Sequence, residues 1–213
     1  MFQALSKACF ALTLAIANPV FAKGERAGDF DYYVLALSWT PNFCATQNAD
    51  HPQCDQNRDL GFTLHGLWPQ YEKGWPSYCP SAQRPPSRAM TAAEADIYGT
   101  SGLAWHQWKK HGSCAGLSAE SYFEKARAAY QAVQRPQILR EVSKPILLPA
   151  SVIEEAFLEA NPNLTPDQIT ITCKSDAIQE VRMCLTKELE PRQCGQDVIR
   201  DCTLKKARFL PIR

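Results

Sequence analysis

Eight cysteines lie between positions 44 and 202 of this 213-residue chain: Cys44, Cys54, Cys79, Cys114, Cys173, Cys184, Cys194 and Cys202. A ninth, Cys9, sits in an N-terminal stretch that reads as a leader. Met1 to Ala22 carries one charge, Lys7, then an apolar run from Cys9 to Ile16, then small residues around Val20 and Ala22. A positive start, an apolar run too short to span a bilayer and a small-residue cleavage site predict a secretory signal peptide, residues 1–22, cut before Lys23. An exported chain meets an oxidising compartment, so its eight cysteines predict four disulfides among roughly a hundred arithmetically possible pairings. Any fold open to this chain has to bring those cysteines together in pairs.

Removing the leader also changes the charge balance. Of 23 Lys and Arg, Lys7 leaves with it, so 22 basic side chains face 22 acidic ones. Long-range attraction to a polyanion is then weak, and any nucleic acid has to be held by a local cluster. The remaining stretch, 23–213, has about 190 residues, enough for one domain with a sizeable core when 45% of the chain is hydrophobic. It contains no internal repeat, no low-complexity linker and no further apolar run of about 18 residues, so no membrane association is expected.

Strand and helix periods are interleaved. Residues 32–39 are apolar on both alternating faces, which predicts a central strand covered on two sides. Phe62 to His65 predicts a second strand, with Phe62 and Leu64 on one face and Thr63 and His65 on the other. Residues 74–102 are rich in Pro, Ser and Gly and read mostly as loop, with a short helix after Thr91 whose Glu94 completes a capping-box pattern. Ser118 can cap a helix carrying Phe123, Ala126, Tyr130 and Val133, stopped by Pro136. A further helix is expected at 150–160, and alternation at 168–173 and 181–185 predicts two more strands. The mixture specifies an α+β fold: a single domain with a central, mostly antiparallel sheet packed by helices and stapled by disulfides.

Two segments concentrate the chemistry. Phe62-Thr-Leu-His-Gly-Leu-Trp-Pro69 and Trp105-His-Gln-Trp-Lys-Lys-His-Gly-Ser-Cys114 hold His65, His106 and His111, three of the four histidines. Imidazoles and an ammonium are the groups that move protons around a phosphodiester and hold its charge. On a helix at about 100° per residue, His106, Lys110, Gln107 and His111 fall on one arc of about 140°. Trp105 and Trp108 fall on the opposite side, where they can anchor the helix in the core. Gly112 suits the left-handed turn that ends a helix. Zinc is disfavoured, because a helical ligand pair wants histidines four apart with an acid between them, whereas His106 and His111 are five apart and Gln107 replaces the acid. The fourth histidine, His51, reads as an ordinary loop residue.

The two segments resemble the paired active-site motifs of the ribonuclease T2 family of secreted ribonucleases. The first matches throughout and the second departs at one position. Ala36-Leu-Ser-Trp-Thr-Pro-Asn-Phe-Cys44 resembles the family's first strand and cysteine, and Trp75-Pro-Ser-Tyr-Cys79 and the four late cysteines extend the likeness over about residues 30–205.

The resemblance implies an endoribonuclease that cleaves single-stranded RNA without metal or other cofactor. The ribose 2′-oxygen attacks phosphorus, a 2′,3′-cyclic phosphate forms, and water opens it to a 3′-phosphate. By matching positions it implies His111 as base and His65 as acid, with His106 holding the phosphate and Lys110 stabilising the transition-state charge; the two proton-transfer labels could be exchanged. Trp68, Gln70 and Tyr71 are the implied base contacts. The departure is Gln107, where the family more often has Glu; Gln cannot carry a charge, so an active enzyme with an altered pH profile is expected. A catalytically weakened RNA-binding or signalling member of the family is the alternative. The resemblance also implies the pairs Cys44–Cys54, Cys79–Cys114, Cys173–Cys202 and Cys184–Cys194; a monomer whose partner is RNA is expected, and the leader predicts export, to the periplasm or the medium.

Overall fold

The computed structural model describes residues 26–47 and 50–212; the predicted signal peptide lies outside them. In chain order the elements are β1 Tyr32–Trp39, α1 Thr40–Cys44, β2 Phe62–Gln70, α2 Arg88–Ala93, α3 Ala95–Tyr98, α4 Ser101–Lys110, α5 Ala119–Ala132, α6 Gln137–Arg140, β3 Ile146–Leu148, α7 Ala150–Ala160, β4 Ile169–Lys174, β5 Ala177–Leu185 and β6 Ala207–Phe209. The apolar run at 32–39 is β1, flanked by β2 and β5, with every residue but Ser38 buried. The sheet runs β2-β1-β5-β6-β3, with β4 also paired to β5. Every pairing is antiparallel except a single parallel contact between β5 and β6, Ala177 with Arg208. The α+β, mostly antiparallel architecture expected from the periods is the one observed. No helix among the described residues is long and apolar enough to cross a membrane.

One sheet face carries the main core. Leu35, Leu37 and Trp39 from β1 pack with Leu64 and Leu67 from β2, Val181 and Met183 from β5, Tyr122, Phe123 and Ala126 from α5 and Ile153 and Phe157 from α7. Ser118 caps α5 by accepting from the Ser121 N–H at 3.1 Å, which satisfies one of the donors that the first turn leaves free. The other face holds a smaller cluster, Tyr32, Val34, Cys184, Cys194 and Val198, with Trp68 against it. Beyond that cluster Ser38, Thr63, His65 and Glu180 line a cleft on this face.

Strict alternation fails in β2, and the failure positions the site. Its pairing with β1 steps from Ala36–Gly66 to Leu37–Leu64, leaving His65 without an opposite residue. His65 is therefore the extra residue of a β-bulge, a device that re-aims a side chain and breaks the two-residue period. Phe62 and Leu64 face the main core, and after the bulge so does Leu67, while Trp68 turns to the open face.

Two expectations about local structure are corrected. The helix near residue 91 begins earlier: Ser87, extended after Pro85 and Pro86, accepts from the Met90 N–H at 3.1 Å. Thr91 lies inside α2, its hydroxyl turned to the Ser87 and Arg88 carbonyls, and Glu94 ends the helix. Much of 88–98 is thus helical, not loop. Gly112 does not adopt a left-handed conformation; among the described residues the positive-φ glycines are Gly28, Gly74, Gly99 and Gly116. It opens a short 3-10 turn, Gly112–Cys114, where a Cβ would lie 2.6 Å from the Trp108 ring and 2.9 Å from Tyr122. Close packing, not chirality, calls for glycine there.

The disulfides link Cys44–Cys54, Cys79–Cys114, Cys173–Cys202 and Cys184–Cys194, the same four pairs the resemblance implies. Cys79–Cys114, reinforced by the Tyr78 N–H on the Lys110 carbonyl at 2.8 Å, ties the loop after β2 to the end of α4. A Cys79→Ser/Cys114→Ser variant is expected to lose about 2–5 kcal/mol in urea denaturation. A loss well below that range would mean packing alone joins the two segments.

Candidate active site

The bulge brings His65 out of β2, and α4 supplies the facing groups along the β2 edge. Thr100 starts α4 by accepting from the Leu103 N–H at 3.1 Å, and the His111 N–H closes it on the Gln107 carbonyl at 2.9 Å. The buried side chains are Ala104, Gln107, Trp108 and, just past the helix, His111. That is a stripe at i, i+3, i+4 and i+7, the spacing by which a helix buries one face. Only Trp108 of the two expected anchors is in the core, against Tyr122 and Phe123; Trp105 is 40% exposed. The polar arc is correspondingly split. Gln107 and His111 point inward, while His106 and Lys110 stay on the rim.

Trp68 joins the two segments. Its ring stacks on His111, with centroids 5.2 Å apart and planes 27° apart, and meets His65 edge-on at 5.2 Å. Its Nε1–H donates to Gln107 Oε1 at 2.8 Å. The Arg182 guanidinium lies 5.3 Å from the ring centroid, within cation–π range. Gly66 makes this possible: a Cβ there would fall 2.2 Å from Trp68 Nε1 and 2.4 Å from Gln107 Oε1.

One member of the site was missed in the sequence. Glu180, on β5 and only 1% exposed, accepts from His65 Nδ1 through Oε1, and from Arg182 Nε and Nη2 through Oε2 at 2.9 and 2.7 Å. The only available signal was two charged residues, Glu180 and Arg182, inside an otherwise largely apolar strand.

Of the expected base contacts, Trp68 is half-buried within the site, whereas Gln70 and Tyr71 are buried. Tyr71, one residue past the end of β2, belongs to the main core cluster. It offers no open face for a base, which corrects that expectation; the side-chain Oε1 of Gln70 is buried without a hydrogen-bond partner among the described residues. The exposed aromatic faces nearby in sequence are Trp75 and Tyr78. His51 caps the turn Pro52–Cys54 by accepting from the Gln53 N–H at 3.2 Å. A cleft of about 780 Å³ leads from His65 and Glu180 past Ser38 and Thr63 toward His51.

The electrostatics separate the imidazoles. Burial, then the charges of Lys110, His65 and His106, push His111 down to about 3, so it is neutral at physiological pH. Burial, then Lys110, Lys109 and His65, lower His106 as well. Burial would raise the Glu180 carboxyl, but the hydrogen bond and charge of His65, together with Arg182, outweigh it and hold the group at about 2. A neutral imidazole, an imidazole on a carboxylate and an ammonium thus converge. Such a set can accept a proton, donate one and hold an anion.

Comparison with known proteins identifies the family. Residues 30–194 match the model of the ribonuclease T2 family. The chain belongs to that family. It is 47% identical over 120 residues to a ribonuclease of Aeromonas hydrophila, covering 56% of this chain and 54% of that one. It is 29% identical over 153 residues to ribonuclease I of Escherichia coli, covering 53% and 57%. The chain thus spans about half the length of the curated relatives it matches. In structure it superposes on an RNase-related protein from Calystegia sepium with a TM-score of 0.68 at 22% identity, covering 86% of this chain and 98% of that one. RNase NT in complex with 5′-AMP gives 0.67 at 22% identity, covering 86% and 99%. At this identity the likeness speaks for the fold.

Two outcomes test this site as built. Gly66→Ala is expected to break the Trp68–Gln107 contact and cost about 1–3 kcal/mol of stability by overpacking, read by thermal unfolding and by the near-ultraviolet signal of the indole. His111 titrates near 6.5 when unfolded but near 3 when folded, so the unfolded state binds the proton first. Stability should therefore fall as pH drops from about 6.5 toward 3, and His111→Phe should flatten that fall in denaturation curves taken across the window.

Proposed function

We propose that this protein is an endoribonuclease that cleaves single-stranded RNA by transphosphorylation to 2′,3′-cyclic phosphates, followed by hydrolysis to 3′-phosphates. The observation that carries the reading is the opposite setting of two imidazoles packed against one indole. His111 is buried and neutral, fit to take the ribose 2′-proton; His65 sits on a carboxylate, fit to give a proton to the departing 5′-oxygen. As the 2′-oxygen bonds to phosphorus, the bond to the 5′-oxygen breaks, and the proton lost to His111 is balanced by the one His65 delivers. In the second step water replaces the ribose oxygen and the two histidines exchange roles. His106 and Lys110, on the rim, hold the non-bridging oxygens and the charge that grows on them.

The relatives support the chemistry, being named ribonucleases, and one solved relative carries 5′-AMP. Lys110 and Arg182 supply local positive charge where the net charge of +1 supplies little. Trp68 orients both imidazoles, and Gln107, as its hydrogen-bond acceptor, acts through it. We read the protein as a monomer that needs no cofactor and is exported to the periplasm or the medium, in keeping with its four disulfides and the leader-like N-terminus.

Purified protein incubated with single-stranded RNA and a chelator is expected to release cyclic phosphates and then 3′-phosphates, with cleavage lost in His65→Phe and in His111→Phe. RNA binding without cleavage would replace this reading with that of a non-catalytic family member. Gln107→Glu keeps the acceptor for Trp68 and adds a negative charge one helical turn from His111. It should raise the acid limb of the pH–rate profile by about one unit, because an anion favours the protonated imidazole. An unmoved limb would show that the amide at this position does not set the profile.

A further inference from the structure

We propose that Glu180 is a positioning residue of the cleavage reaction: from β5 its carboxylate holds the Nδ1–H of His65, so that Nε2 is the nitrogen presented to the departing oxygen. This role rests on the nuclease reading above and belongs to a residue outside both histidine segments.

The arrangement is built from three strands. His65 lies on β2 and Glu180 on β5, which are not neighbours; β1 runs between them. Across the open face, Thr63, Ser38 and Glu180 form one row, and Gly66, Ala36 and Arg182 the next. The β1 residues in these rows are Ser38 and Ala36, too small to fill the space over their strand. The imidazole, freed from the ladder by its bulge, and the carboxylate can therefore meet across it. A second register shift lies beside Glu180, where its pairing with β4 steps from Thr172–Glu180 to Cys173–Ile178. Irregularity in both outer strands thus converges on one contact.

Burial makes the contact costly to neglect. A carboxylate that is 1% exposed gives up its hydration, a large penalty unless both oxygens are paired. Among the described residues Arg182 takes Oε2 twice, and His65 takes Oε1. An ion pair serving only to staple the sheet would be complete with Arg182. The second oxygen is aimed at the imidazole, and Arg182, reaching over Trp68, ties the carboxylate to the ring that packs on both histidines.

The chemical consequence concerns which proton moves. With Nδ1–H given to a fixed anion, the ring has one orientation and one neutral tautomer, and Nε2 is the nitrogen that gains and loses the proton. Held this way, the ring can deliver its Nε2 proton along one fixed direction. The other charged or titratable groups around His65 are Arg182 from β5, and His106 and His111 with Lys110 beside them at the end of α4. Lys174, Asp176 and His51 line the same cleft.

The test compares kcat and KM across pH for the wild type, Glu180→Gln and Glu180→Asp on a dinucleoside phosphate. Glu180→Gln is expected to lower kcat about tenfold or more with little change in KM. Its alkaline limb should move to lower pH by about one unit, since the acid loses its anion. Glu180→Asp should return the limb and part of the rate. A limb that stays in place while only the melting temperature falls would reduce Glu180 to a structural residue and overturn the proposal. Nitrogen-15 NMR of wild-type His65 keeps the question open to refutation if the Gln variant does not fold: the Nδ1–H tautomer is expected, and the Nε2–H tautomer overturns it. An active wild type with an unmoved limb refutes the role of Glu180 alone; an inactive wild type refutes the nuclease reading.

Discussion

The slip of one residue between β1 and β2 is the constraint on which the site depends. Without it, His65 would take its turn in the ladder beside Thr63, and Trp68 would follow Leu64 to the core face. With it, Leu67 fills the core and Trp68 comes to the open side, where it lies against His111, His65 and Arg182 and bonds to Gln107. A bulge weakens a sheet locally by leaving a residue unpaired. Here β1, buried and paired on both sides, supplies the stiffness to tolerate it.

Around that slip, charge is distributed by burial. The helix α4 follows the ordinary rule of one buried stripe, but the stripe passes through Gln107 and His111 as well as Ala104 and Trp108. Burying an imidazole next to other cations makes it neutral, and burying a carboxylate between an imidazole and a guanidinium keeps it ionised. One fold thus holds a group suited to accept a proton and a group suited to donate one. The disulfide Cys79–Cys114 and the Tyr78–Lys110 backbone bond fasten the end of α4 that carries His111.

Much of the frame was legible in the chain. The continuous apolar run of β1, the cap and period of α5, and the alternation of β4 and β5 each reflect a single local rule, and each is found where that rule puts it. The region before α4 was harder. Thr91 and Glu94 make a cap pattern, yet Ser87, held extended behind two prolines, caps first. Gly112 suggested a left-handed turn, whereas the space between Trp108 and Tyr122 is what excludes a side chain.

The same division holds for the site. The sequence by itself determined the groups that could do the chemistry: His65, His106, Lys110 and His111 stand in two short segments whose spacing is local, and the motif around them names the family. Tertiary structure decided their settings. It buried His111 and left His106 on the rim, moved Trp105 to the surface, sent Tyr71 into the core and brought Glu180 from a strand 115 residues away to His65. None of these follows from periodicity. A bulge is a property of two strands at once, burial depends on what packs opposite, and a carboxylate meets an imidazole only when the residues of the strand between them are small enough to let it.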